Sequence, residues 1–181
     1  MASRHVALLR GINVGTARRI SMADLRALVE KLGYRNVSTL LNSGNVIFDA
    51  AGAPAVECGL KIEKAITAKL GISSRVIALS ASEIAAIVKE NPLAKIADNP
   101  SRLMVVIPAD RSGLKLIQPL AKEKWGREMI GFGKRAAYIW CPEGIIVSRL
   151  AKAVEKPLKD AVTIRNWATT LKLQDLTKET K

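Results

Sequence analysis

Apolar positions follow two different spacings at the start of the chain. The stretch HVALLRG, which begins at His5, is a continuous apolar run typical of a strand buried on both faces. In the following ISMADLRALVEKLGY, apolar residues recur at helical spacing over 22–32, between an N-capping Ser21 and Gly33. The pattern predicts a strand followed by a helix.

The next segments predict two strands, a helix and a further strand. VSTLLNSGNVIFD indicates strands over 37–41 and 45–48, joined or bent at Ser43 and Gly44. Helical spacing then runs from 56 to 70, and SRVIALS supplies another strand. The order strand, helix, two strands, helix, strand is the βαββαβ arrangement of the ferredoxin-like fold. We therefore predict an α+β protein with a ferredoxin-like subdomain at 1–81.

The remaining residues, 82–181, partly echo the first half. A helix over 82–90 leads into NPLAKIADNP, whose two Asn-Pro pairs mark turns and the best internal boundary. A strand over 102–108, a helix interrupted near Pro119 and a hairpin formed by REMIGFGK and AAYIWCPEG follow. Two helices, over about 148–156 and 163–173, are predicted to end this second α+β subdomain. The two subdomains are predicted to form a single domain over residues 1–181.

The charge is strongly positive and gathered at the two ends of the chain. The 181 residues carry 29 Lys and Arg against 16 Asp and Glu, a net charge of +13. Cations outnumber anions 7 to 2 in residues 1–40 and 8 to 4 in 149–181, whereas 41–100 are balanced. Such a field attracts nucleic acid, nucleotides and other anions. The alternative is a surface that is basic without a dedicated partner.

Several classes of function are excluded by what the sequence lacks. His5 is the only histidine, which argues against a histidine-rich metal site or a Ser-His-Asp triad. The longest apolar runs, such as LMVVI at 103–107, are too short to cross a bilayer, and no secretory pattern follows the N-terminus. Cys58 and Cys141 have no CxxC spacing, which is typical of reduced thiols. We predict a cytoplasmic protein with no membrane segment, metal or cofactor.

The first candidate site is the stretch ALLRGINVG. Arg10 follows the first strand, and Gly11 and Gly15 allow close backbone approach and positive φ, so that Arg10, Asn13 and backbone N–H groups could hold one anion. The spacing lacks the third glycine of the dinucleotide fingerprint and the Gly-Lys-Ser/Thr of a Walker loop. The structural alternative is a loop whose glycines serve geometry and whose arginine is solvated.

Polar residues around Gly44 form the second candidate. Asn42, Ser43 and Asn45 supply amide and hydroxyl groups, although turn residues commonly bond their local backbone in the same way. In the ferredoxin-like order this hairpin lies beside the first strand. We therefore expect NSGN to face the Arg10 loop.

The third candidate is TIRNWATTLKL. Thr163 is a plausible N-cap, which would put Arg165, Asn166 and Trp167 in a first helical turn where backbone N–H groups favour an anion. Trp167 could cover a planar ligand or anchor the helix by burying its ring. Ser148 and Arg149, at another predicted helix start, would add donors.

Five motifs together resemble the bacterial family known as domain of unknown function 1697 (DUF1697). They are VALLRGINVG, MADLRALVEKLG, SGNVIF, YIWCPEGIIVSRL and TIRNWATTLKL, and they cover nearly the entire chain in order. Thr16 stands where relatives usually have a second glycine, and Arg149 where they usually have lysine. The resemblance implies a ferredoxin-like body with a second subdomain, and it implies no activity. The matching residues are Arg10, Gly11, Asn13, Gly15, Ser43, Gly44, Asn45, Tyr138, Gly144, Ser148, Leu150, Thr163, Arg165, Asn166 and Trp167.

Three hypotheses of function follow. The first is a pocket for a small phosphorylated or carboxylated ligand, formed by the Arg10 loop, the Ser43 turn and the Arg165–Trp167 helix start. The second is binding of the nucleic-acid backbone by the basic C-terminal helices; a base-stacking RNA reader is disfavoured because aromatic residues are 4% of the chain. The third is a group-transfer enzyme using Ser148, Ser43 or a lysine, although the matching residues include no general base. Oligomeric state is not determined by the sequence.

Overall fold

A computed structural model describes residues 2–178 and divides into two compact units. The first comprises the residues up to Ser82 together with those from Leu173 onward. The second runs from Glu83 to Lys172. None of the helices within 2–178 combines the length and apolarity needed to span a lipid bilayer.

The first unit has the predicted βαββαβ order. Its elements are β1 (Ala2–Leu9), α1 (Met22–Lys31), β2 (Arg35–Leu40), β3 (Asn45–Ala51), α2 (Ala55–Leu70) and β4 (Val76–Ser80). The four strands form an antiparallel sheet in the order β2-β3-β1-β4, so β1 lies between β3 and β4. This arrangement confirms the ferredoxin-like prediction. The Ser21 hydroxyl accepts a hydrogen bond from the Asp24 N–H at 3.0 Å, which confirms the predicted N-cap of α1.

Helices α1 and α2 cover this sheet with their apolar stripes. Leu25 of α1 and Ile62 of α2 are buried in one core with Leu9 and Phe48 of the sheet. Burying such side chains contributes roughly 1.5–3 kcal/mol each, which explains why the helical spacing in the sequence located these helices correctly. The end of β1 and the start of α1 therefore fix the two ends of the loop between them.

The second unit repeats the same topology. Its elements are α3 (Ala81–Lys89, which begins at the unit boundary), β5 (Leu103–Pro108), α4 (Gly113–Ile117) with a 3₁₀ turn (Gln118–Lys122), β6 (Met129–Phe132), β7 (Ala137–Trp140), α5 (Arg149–Leu158), β8 (Val162–Asn166) and the start of α6 (Trp167–Lys178), whose residues from Leu173 onward belong to the first unit. Its antiparallel sheet has the order β6-β7-β5-β8. That order places the strands as in the first unit, so the predicted partial similarity of the halves is confirmed.

One predicted helix is wrong in its first turn. Residues 163–173 were expected to be helical throughout, but Val162–Asn166 form strand β8 and α6 begins only at Trp167. β8 pairs with β5, and Val106 lies opposite Ile164. The segment is rich in β-branched residues, which favour strands, and the unit needs a fourth strand. Thr163 is therefore a buried strand residue and not an N-cap.

Helices α4 and α5 pack on one face of this second sheet. Leu114 of α4 and Val154 of α5 share a buried core with Val106 and Ile139. The side chains of α5 on the opposite side of the helix are consequently left at the surface.

Candidate functional site

The structure distributes the predicted site residues over both units. The first unit contains Arg10, Asn13, Ser43 and Asn45. The second contains Ser148, Arg149, Arg165, Asn166 and Trp167.

Asn13 closes the loop between β1 and α1. Its Nδ2 donates to the Ile20 carbonyl at 2.9 Å, and the Ile20 N–H donates back to its Oδ1 at 2.9 Å. The Asn13 N–H also donates to the Arg18 carbonyl at 3.1 Å. Asn13 has φ 54, a conformation that asparagine tolerates better than most residues. Its amide thus holds the loop in shape.

The β2–β3 turn lies directly against this loop. Nδ2 of Asn13 also donates to the Asn42 carbonyl at 2.7 Å, and the Leu9 N–H donates to the Gly44 carbonyl at 2.9 Å. Gly44 has φ 78, and a Cβ added to it would lie 2.7 Å from Cδ1 of Ile12. The expectation that NSGN faces the Arg10 loop is therefore confirmed, and only glycine fits this close approach.

Within the turn, Ser43 and Asn45 have different surroundings. Asn45 is completely buried, and its Nδ2 donates to the Leu40 carbonyl at 2.8 Å and to the Ser43 hydroxyl at 3.0 Å. It therefore closes the hairpin from inside. Ser43 lies at the surface, where its side chain is accessible to solvent.

The loop carries three arginines and no carboxylate. We call residues 10–19 the basic loop. Arg18 and Arg19 are exposed. Arg10 is half-buried at the base of the loop, where its backbone N–H donates to the Arg75 carbonyl at 2.9 Å. Arg19 Nη2 donates to the Gly15 carbonyl at 2.8 Å, which orients its guanidinium along the loop. Arg75 adds a fourth cation, partly offset by Glu63 at 3.5 Å.

Arg18 and Arg19 were not among the residues predicted from sequence. The signal was present, because an Arg-Arg pair follows the glycines in a segment without acidic residues. Neither arginine belonged to a recognised motif. Because Asn13 closes the loop, Arg18 lies near Gly11 and Arg19 near Gly15. Arg18 Nη1 lies 3.4 Å from where a Cβ on Gly11 would stand.

In the second unit, Ser148 is a buried N-cap of α5. Its hydroxyl accepts from the Ala151 N–H at 2.9 Å and lies 3.4 Å from Sγ of Cys141. The N–H of Leu150, also in the first turn of the helix, donates to Oε2 of Glu128 at 2.9 Å. Desolvation raises the pKa of Cys141. This helix start is thus already bound by internal acceptors, while Arg149 beside it is exposed.

The other predicted residues lie where β8 meets α6. Arg165 is half-buried on β8 and donates to the Thr163 hydroxyl at 2.8 Å, and its desolvation lowers its pKa to about 10. It remains charged at neutral pH. Asn166 Oδ1 accepts from the Thr169 N–H at 2.8 Å and caps α6. Trp167 is buried, edge-on to Tyr138 with ring centroids 6.5 Å apart, so its ring anchors the helix.

The side chains that could bind a metal ion are scattered through the part of the chain that the structure describes. Across 2–178, no set of three or more His, Cys, Asp or Glu side chains is placed to hold a metal ion. Cys58 and Cys141 are free thiols, and both are buried.

Fold and site together define an α+β protein with two ferredoxin-like units, the first of which bears an arginine-rich loop. The chain belongs to the family described as Protein of unknown function (DUF1697), whose family model matches residues 2–138. It is also similar in fold to conserved bacterial protein SP0830 from Streptococcus pneumoniae, with 24% identity and a TM-score of 0.81 over 98% of this chain and 99% of that one. A comparison with curated proteins gave no match.

Proposed function

We propose that the first unit binds a small anionic ligand, bearing phosphate or carboxylate, at the basic loop and the adjoining β2–β3 turn. The observation that carries this proposal is a closed, exposed loop with three arginines and no acidic residue. Loops held on a rigid scaffold are common binding elements, and guanidinium groups suit carboxylate and phosphate because they can donate two parallel hydrogen bonds.

The hydrogen bonds that close the loop support the proposal. Ile12 and Ile20 are buried at its two ends, while residues 13–19 between them lie at or near the surface. Because Asn13 joins these ends through paired hydrogen bonds, the loop loses less conformational freedom when a ligand binds. A preorganised cationic loop therefore binds an anion more tightly than a mobile one of the same composition.

Each residue of the proposed site has a distinct role. Arg18 and Arg19 contact the anion, and Arg10 adds positive charge at the base of the loop. The Ser43 hydroxyl is an additional donor from the turn. Asn13 and Asn45 act indirectly: the Asn13 amide joins the loop to the turn, and the Asn45 amide closes the turn from inside.

Thermal unfolding in the presence of inorganic phosphate, sulfate, ATP and citrate tests this function. An anion at one hundred times its dissociation constant should stabilise the protein by roughly 2.7 kcal/mol. For a chain of this size that corresponds to a rise in Tm of about 5–10 °C. Sulfate serves as the simplest tetrahedral dianion, while ATP and citrate test larger phosphorylated and carboxylated ligands.

A matched pair of double variants separates a site from general basicity. Arg18→Gln with Arg19→Gln should abolish the shift, whereas Lys61→Gln with Lys64→Gln removes the same charge from exposed positions of α2 and should preserve it. Absence of a shift with every anion, or equal loss in both double variants, would refute the proposal.

A further inference from the structure

One face of α5 carries a continuous row of cations. Positions 149, 152 and 156 are spaced three and four residues apart, which places them on one side of α5, and Lys159 follows directly as the C-cap residue of the helix. All four side chains are exposed, and Glu155 is the only carboxylate within the helix. We call Arg149, Lys152, Lys156 and Lys159 the α5 basic face.

The opposite side of α5 is fully engaged. Leu150, Ala151, Val154 and Leu158 are buried in the core of the second unit. The helix therefore has no apolar face to insert between lipids, as an amphipathic membrane-surface helix would need. What it offers to a partner is positive charge alone.

Neighbouring segments of the second unit extend this charge. α4, the 3₁₀ turn and the two residues after the turn contribute three exposed lysines, Lys115, Lys122 and Lys124, against one exposed acid, Glu123. α4 packs on the same sheet face as α5, since Leu114 and Leu158 belong to one core. The helical layer of this unit is thus predominantly cationic at its surface.

We propose that the α5 basic face binds the phosphate backbone of a nucleic-acid duplex. At 1.5 Å per residue, the row from Arg149 to Lys159 is about 15 Å long, a length over which a duplex carries roughly nine phosphate charges. Four flexible side chains along that length can each reach a phosphate. The face contains no Asn, Gln or aromatic residue, so binding is independent of base sequence.

The hypothesis from sequence assigned nucleic-acid binding to both basic C-terminal helices, whereas the surface proposed here uses α5 alone. Arg165 is half-buried on β8 and donates to Thr163 and Ile164, so it is not part of this face. The proposed duplex surface lies in the second unit and shares no residue with the basic loop. Each of the two functions can therefore fail without the other.

Fluorescence anisotropy with a labelled 20-base-pair DNA duplex of arbitrary sequence tests the inference. Four phosphate contacts predict a slope of about −3.6 for log affinity against log salt concentration, so affinity should fall about 100-fold between 50 and 200 mM salt. Replacing all four cations of the α5 basic face by glutamine should remove most of this slope. Circular dichroism of the variant checks that the helix is retained.

A second quadruple variant controls for net charge. Lys31, Lys61, Lys64 and Lys69 are exposed on α1 and α2, and their replacement by glutamine removes the same four charges. This variant should keep a slope within about one of the parent value. A flat salt dependence of the parent protein, equal losses in the two variants, or binding to phosphatidylserine vesicles without binding to the duplex would overturn the inference.

Discussion

Replacing Asn13 with alanine removes the hydrogen bonds that close the basic loop. Three bonds of its side chain are lost: two with Ile20, at 2.9 Å and partly buried, and one with the Asn42 carbonyl, at 2.7 Å and exposed. Alanine must also adopt φ 54, which it tolerates less well than asparagine. The substitution therefore acts on both the contacts and the backbone conformation of the loop.

The expected cost follows from these contacts. A partly buried hydrogen bond contributes about 1 kcal/mol net and an exposed one about 0.5 kcal/mol. The left-handed conformation adds roughly 1 kcal/mol for alanine. We expect Asn13→Ala to lower the free energy of unfolding by about 3–4 kcal/mol. Asn13→Gly loses the same bonds but accepts the backbone conformation, so its loss should be smaller.

Urea denaturation and amide hydrogen exchange together measure this effect. The Ile20 N–H donates to Asn13 Oδ1, so its exchange should become fast in both variants. The Leu25 N–H, which donates to the Ser21 carbonyl within α1, should stay protected and serves as an internal control. If Ile20 remains protected in Asn13→Ala and stability changes by less than about 1 kcal/mol, Asn13 does not hold the loop.

Two further substitutions test the local geometry. Gly44→Ala should lower the free energy of unfolding, measured by urea denaturation, by about 2–4 kcal/mol, because it combines positive φ with overpacking against Ile12. Gly52→Ala is the control: its φ is also positive but the space around it is open, so it should cost only about 1–2 kcal/mol. Equal losses in the two variants would contradict the clash with Ile12. The Ser112 hydroxyl and backbone N–H lower the pKa of Asp110 from its ordinary 3.8. The Asp110 carboxylate therefore stabilises the fold above pH 3.8, and this contribution is lost as the pH falls through its lowered pKa. Asp110→Asn should make the free energy of unfolding less dependent on pH between pH 2 and 6. An unchanged pH dependence in the variant would show that Asp110 is not the source of this acid destabilisation.

The fold was predictable where local and tertiary preferences agree. Ser21, Gly33 and the apolar spacing between them define α1 from local signals alone, and the element order then determines the sheet. β8 was missed because its short sequence VTIRN runs directly into the helical spacing of α6. Its pairing with β5 is a contact distant in sequence, which no local pattern reveals.

The candidate site was harder to predict because the same residue types build turns and bind ligands. Asn13, Asn45 and Asn166 are among the predicted ligand-binding residues, and in the structure their amides bond neighbouring backbone groups. Ser148 is likewise engaged as a helix cap. Short polar side chains near glycines satisfy local backbone first, whereas long cations such as Arg18 extend beyond the loop that carries them.

Comparison of the two units shows where the first has diverged from the shared topology. The connection between its first strand and first helix spans residues 10–21, whereas the corresponding connection of the second unit spans only 109–112. The second unit has the same sheet order with the shorter link, so the shared topology does not by itself call for the additional residues of the first unit. They include Arg18 and Arg19 and the exposed Val14. Most connections in compact domains are about four to six residues long, so a longer one held by specific hydrogen bonds supports the proposed binding of an anion at the basic loop.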